Sequence, residues 1–214
     1  MRKHWTLAPL LMTAALAYGC AANPADDKTK ATVGTAAPEA SVTKPGATET
    51  LVISPENSKV EFVASKVTRS HNGSFKQFSG KIELAPNSIP DSKVSIDIET
   101  ASIVTDDDQL TTHLKTPDFF DVAKFPKATF VSTKIEPGNA PGATHTVTGN
   151  FDLHGVKKSI SFPATIQVAA DSVTVNAEFA INRKDFGIIY AGKTDDLIRD
   201  EVVIKLTIKA PRTK

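Results

Sequence analysis

From residue 59 onward, apolar and polar side chains alternate along the chain in a series of short runs. Successive side chains of a β-strand point to opposite faces, so a period of two predicts strands with one buried face. Val60, Phe62 and Ala64 alternate with Lys59, Glu61 and Val63. Val94, Ile96 and Ile98 alternate with Ser95, Asp97 and Glu99. Val147, Gly149, Phe151 and Leu153 alternate with Thr146, Thr148, Asn150 and Asp152. The same rule covers Ile160 to Val168, Val173 to Ile181 and Val202 to Ile208. Two stretches fit less simply. In residues 73–84, Phe75 is out of phase with Phe78, Gly80, Ile82 and Leu84, which a bulge near Lys76-Gln77 would repair. In residues 128–136 both faces carry apolar residues, which predicts a strand covered on both sides.

The runs predict an all-β domain of eight main strands, or nine counting residues 51–53, joined by turns such as Pro86-Asn87, Pro137-Gly138-Asn139 and His154-Gly155. One apolar face per strand and about eight antiparallel strands suggest a closed barrel, since closure removes the edges. Such an interior either fills with side chains or holds one small ligand. All eleven phenylalanines lie beyond residue 60 and most have inward parity, which suits a solid core and a greasy pocket equally. The connection 113–130 holds four phenylalanines, two prolines and two aspartates. A connection this apolar has to bury itself, and the place to do so is over one barrel mouth. Residues 105–114 read as a short helix, with Thr105 as cap, aspartates in the first turn, and Pro117 beyond its end. That helix and Phe119-Phe120 would plug one end.

The first nineteen residues read as a secretory signal, with Arg2 and Lys3 before an apolar stretch, Leu7 to Ala17, too short to span a bilayer of ~20 apolar residues. Cys20, the one cysteine of the chain, follows among small residues, which resembles a bacterial lipoprotein signal with a diacylated cysteine. Ordinary cleavage near Gly19 is the alternative. Lipidated Cys20 would be the membrane anchor, and Ala21 after it suits an outer-membrane address in the periplasm. Residues 20–50 are poor in large aliphatics, so they are expected to form a disordered tether, leaving 51–214 as the folded domain. Removing Arg2 and Lys3 from 25 basic residues leaves 23 against 24 acidic ones, which lacks the basic excess of a nucleic-acid-binding surface.

Motifs then fall in a recognisable order. They are Phe75-Lys-Gln-Phe-Ser-Gly80, Ser102-Ile-Val-Thr105, and His113-Leu-Lys-Thr-Pro-Asp-Phe-Phe-Asp121 with Phe125-Pro126. Leu153-His-Gly-Val156, Ile181-Asn-Arg-Lys-Asp-Phe-Gly187 and Asp200-Glu-Val202 follow. In this series the chain resembles the YceI-like family, secreted bacterial proteins with a lipocalin-like barrel that bind polyisoprenoids. The resemblance implies an interior that holds a long isoprenoid chain. The stretch from Val67 to Ser74 departs from the family pattern, as do the lipoprotein signal and the tether.

Candidate chemistry is sparse. His113, Asp118 and Asp121 form the one dense constellation, read either as an oriented base or, preferentially, as fastenings of the plug through turn hydrogen bonds. The histidines lack paired metal-ligand spacing, so no metal site is expected. Arg183 and Asp185 read as a turn brace, with a headgroup contact as the alternative. The expected function is binding, sequestration or transport of an apolar lipid, such as a polyprenyl chain or an isoprenoid quinone, without catalytic residues or a required cofactor. The pocket is expected to be lined by Phe62, Phe78, Phe151, Phe162 and Phe179, with Tyr190 near a mouth. The alternatives are a solid-core stress or partner-binding module, and an enzyme at His113. The oligomeric state stays open, a dimer included.

Overall fold

The computed structural model describes residues 22–38 and 48–212. The signal reading of residues 1–19 and the lipidation reading of Cys20 lie outside the described residues. The strands are β1 (Thr32–Thr35), β2 (Glu49–Ile53), β3 (Lys59–Ser65), β4 (Ser70–Phe75), β5 (Phe78–Leu84), β6 (Lys93–Glu99) and β7 (Ile103–Thr105). After helix α1 (Asp108–Leu114) come β8 (Lys127–Pro137), β9 (His145–Leu153), β10 (Val156–Val168), β11 (Ser172–Asn182), β12 (Gly192–Lys193), β13 (Asp196–Leu197) and β14 (Glu201–Pro211).

Eleven strands form one curled antiparallel sheet in the order β2-β5-β6-β8-β9-β10-β11-β14-β3-β4-β7. β1 pairs with β10 beside this path, and β12 with β13 forms a separate small hairpin. The sheet curls back on itself because β4 and β5, distant in that order, are consecutive in the chain and separated by Lys76-Gln77 alone.

The expected eight strands differ from these eleven for physical reasons. The stretch read as one bulged strand is two, because β4 pairs with β3 and β7 while β5 pairs with β2 and β6. Glu49–Ile53 is a full member through its ladder with β5. Ile103–Thr105 adds a short strand against β4. The two-sided apolarity of β8 also has a different origin. A register shift between Ser132 and Lys134 reverses its parity, so the buried Ala128 and Ile135 both join the core although one lies at an even and the other at an odd position.

The helix begins later than Thr105, which is held in β7. Asp107 caps it, its carboxylate accepting the Leu110 N–H at 3.0 Å. That N–H bond holds the Asp107 carboxyl below the usual carboxylate range. Leu114 and Phe119 are buried, and the Phe120 N–H donates to the Leu114 carbonyl at 3.0 Å, so helix and following turn fold down over one end of the curled sheet.

Residues 22–38 do not behave as a free tether. Ala25 is 1% exposed and packs with Val63, Ala180 and Val203 on the outer face of the sheet. β1 runs antiparallel to β10 in register from Thr32 opposite Ser161 to Thr35 opposite Lys158. The composition argument fails here because a strand can be held by backbone hydrogen bonds, which do not require large side chains.

Candidate ligand cavity

The inward faces of the curled sheet do not meet. They enclose two neighbouring chambers. The deeper has a volume of about 110 Å³ and, apart from Glu61, is lined by apolar residues. The other, of about 100 Å³, lies under the plug, where Leu114, Phe119 and Phe120 form part of its wall. Phe62, Phe75, Ile98, Phe151, Ile181 and Ile204 line both, so these side chains are the partition.

The rings form two sets. Phe62 lies 5.9 Å from Phe75, and Phe75 lies 5.8 Å from Phe120 of the plug. In the deep chamber Phe130 lies 5.7 Å from Phe162, which stacks on Phe179 at 4.2 Å with planes 10° apart. Glycine makes room for two of these rings. A Cβ at Gly73 would collide with the ring of Phe62, and one at Gly149 with the ring of Phe130. Ring packing of this kind is dispersive and geometrically permissive, so such a lining selects for apolar chains more than for a particular polar group.

One buried charge borders the plug-side chamber. Arg183 is 5% exposed. Its Nη1 donates to the Ile188 carbonyl at 2.7 Å, its Nε to the Arg199 carbonyl at 3.1 Å, and its Nη2 to the Ile198 carbonyl and Asp200 Oδ1 at 3.4 and 3.3 Å. Burial pulls its pKa down, and the charge of Asp200 opposes that. The guanidinium is thus a brace for the segment 183–200, which carries the chamber residues Ile188 and Ile198.

The YceI-like domain family matches residues 51–210, the curled sheet from β2 to the end of β14. This chain belongs to that family. A UPF0312 protein of Pseudomonas putida is 32% identical over 140 residues, covering 63% of this chain and 72% of the relative. BcnA of Burkholderia cenocepacia is alike in structure with a TM-score of 0.66 and 27% identity, over 74% of this chain and 99% of that one. The Campylobacter jejuni YCEI protein aligns with a TM-score of 0.54 and 26% identity, over 66% of this chain and 85% of that one. A polyisoprenoid binding domain from Saccharophagus degradans shares the fold at 19% identity and a TM-score of 0.61, over 78% of this chain and 99% of that one.

Within this YceI-like domain the expected pocket residues divide. Phe62 and Phe151 line both chambers, and Phe162 and Phe179 line the deep one. Phe78 does not line either. It is 7% exposed and packed into the core opposite Ile98, at the start of β5 just past the corner. Tyr190 lines neither chamber; its ring lies 5.2 Å from Phe119 and 5.3 Å from His113, on the plug over one end of the sheet. Phe75 and Phe130 are the aromatic lining residues that strand parity missed, because each lies next to a break in register.

His113, Asp118 and Asp121 are not assembled into one site. His113 Nε2 and Asp118 Oδ2 pair at 2.8 Å, with both side chains at least 40% exposed. Asp121 turns the chain with a positive φ of 43°, and its backbone carbonyl accepts the Lys124 and Phe125 N–H groups. A second histidine–carboxylate pair went unnoticed in the sequence. His71 is buried on β4, with Nδ1 2.7 Å from Asp106 Oδ1, and Asp106 Oδ2 accepts the Asn72 N–H at 2.9 Å. Among the described residues no group of three or more His, Cys, Asp or Glu is arranged to hold a metal ion.

Proposed function

We propose that this protein binds a long apolar lipid of isoprenoid type inside the curled sheet, and carries or sequesters it in the bacterial cell envelope. The observation that carries this reading is the pair of adjoining apolar chambers partitioned by side chains alone. Desolvating such a chain gains about 0.8 kcal/mol per buried CH₂ before ordering costs. The shared fold with a domain named for polyisoprenoid binding supports the choice of ligand class.

The chamber volumes of about 110 and 100 Å³ add a condition. Sites for drug-sized ligands span roughly 300–1,000 Å³. A long chain therefore requires the chambers to merge, and Phe62, Phe75 and Phe151 are the shared rings that have to turn. The same small volumes favour the second reading, a packed core that serves as a partner-binding or stress module. Offering octaprenol to the purified chain separates the two. Saturable binding supports the carrier, and the absence of binding supports the packed core. Anchoring through lipidated Cys20 to the outer membrane is part of the proposal.

A further inference from the structure

The ladder between β10 and β11 is short. It joins residues 165–168 to residues 173–176 and stops two positions after Pro163 in chain order. Proline has no N–H to give to a ladder, so a break is expected beside it. Beyond the break, β1 lies between the two strands. It pairs with β10 on one side. On the other, the Ala31 N–H donates to the Ala180 carbonyl at 2.8 Å, and the Ala180 N–H to the Thr29 carbonyl at 2.9 Å. Lys30 and Ala180 form a parallel bridge, as required of a strand inserted between two antiparallel neighbours. An inserted strand holds its neighbours about 10 Å apart, twice the usual spacing.

The inner side of this seam is the deep chamber. Ile160 and Phe162 from β10 and Phe179 and Ile181 from β11 all line it, and the stacked pair Phe162–Phe179 reaches across from both sides. At the seam the chamber wall is thus the inserted strand together with these four side chains.

The inserted strand is held mainly by backbone pairing, with Ala31 and Val33 packed against the core. Its residues are mostly exposed. Lys30 pairs with Glu201 at 2.9 Å and Lys28 with Glu178 at 3.5 Å, surface contacts of small worth. The strongest tie is Asn150, which is 2% exposed and gives both ends of its amide to one residue of the strap. Its Nδ2 donates to the Ala37 carbonyl at 2.6 Å, and its Oδ1 accepts the Ala37 N–H at 2.9 Å. The family match starts at residue 51, so this strap lies outside the matched residues.

We infer that the seam between β10 and β11 is a lateral entrance to the apolar cavity, and that residues 29–37 are a strap that closes it. The inference rests on the apolar-binding reading above. Sideways entry lays a long chain along the chamber without threading it past the buried plug. Displacing the strap and parting Phe162 from Phe179 opens the route.

The test uses the full-length chain carrying Cys20→Ser, Thr32→Cys and Ser161→Cys. Residues 32 and 161 are directly opposite in register, within the reach of a disulfide. The probe is fluorescently labelled octaprenol, followed by stopped-flow in oxidised and reduced samples. Oxidation is expected to slow uptake by about tenfold or more, as closing a gate does, with equilibrium affinity preserved and full recovery on reduction. Equal rates in the two forms would overturn the entrance while leaving apolar binding intact. Absence of binding in either form would overturn the apolar-binding reading, and the entrance with it. Asn150→Ala in the Cys20→Ser chain tests the strap without a crosslink. Faster exchange supports it, and unchanged or slower exchange counts against it.

Discussion

Replacing Arg183 with alanine is expected to remove the brace of the plug-side chamber. The side chain is 5% exposed and donates to the carbonyls of Ile188, Ile198 and Arg199 and to the carboxylate of Asp200. The Ile188 bond is fully buried, and a buried acceptor left unsatisfied costs about 1–3 kcal/mol. The remaining bonds are partly buried and count for less, and Asp200 keeps its pair with Lys184 at 2.9 Å, but truncation also leaves a cavity. The unsatisfied carbonyls and the cavity of a large buried side chain together come to about 3–5 kcal/mol. A domain of this size loses about 2–4 °C of Tm per kcal/mol, so Tm should fall by roughly 6–20 °C. Urea unfolding followed by circular dichroism reads the free energy directly, with an unchanged slope expected if the native state keeps its compactness. Arg183→Lys should recover less than half of the loss, because one ammonium cannot reproduce the planar fork. A loss below about 1 kcal/mol for the alanine variant, or full rescue by lysine, would refute the reasoning.

Four further outcomes are expected. Ala64→Trp, at a small position lining the plug-side chamber, should reduce octaprenol binding in a titration while the domain stays folded, whereas a packed core would lose typically 1–3 kcal/mol of stability. The Asn72 N–H, foremost, and His71 hold the Asp106 carboxyl below its usual range, so its stabilisation is present above the unfolded value of about 3.9 and is lost as pH falls through the lower folded value. Asp106→Asn should therefore lower Tm at neutral pH, and the difference from wild type should shrink on acidification below about pH 4 in a series of thermal melts. His113→Ala should cost no more than about 1 kcal/mol by thermal unfolding, because its pair with Asp118 is largely exposed, and this replaces the larger cost that a buried fastening would imply. Cys20→Ser should move the protein from the membrane to the soluble fraction on cell fractionation, with loss of acyl mass from the intact protein.

Strand parity located most of this wall in advance. Phe62 on β3, Phe151 on β9, Phe162 on β10 and Phe179 on β11 sit in uninterrupted alternating runs, and each of them lines a chamber. Parity failed where pairing partners change. Phe75 looked out of phase because β4 and β5 belong to different ladders, and Phe130 was ambiguous because a bulge follows it on β8. Phe78 has inward parity and is nevertheless packed, since alternation reports a face and not the space in front of it. The plug was legible from its phenylalanines, and Tyr190, placed near a mouth by its neighbours, belongs to the ring cluster with His113 and Phe119. The strap was the largest omission. Its backbone bonds to Ala180 and its clasp by Asn150 leave no hydrophobic period in residues 22–38, and composition alone reads such a segment as unfolded.

The account stands most directly on what occupies the chambers. The full-length, tag-free protein, purified from its own cells without added lipid, is to be extracted with organic solvent and the extract analysed by mass spectrometry. The account predicts a long isoprenoid chain recovered in near-equimolar amount, and depleted in the Ala64→Trp variant. An extract free of apolar molecules, from a protein that also takes up no octaprenol when it is offered, would contradict it.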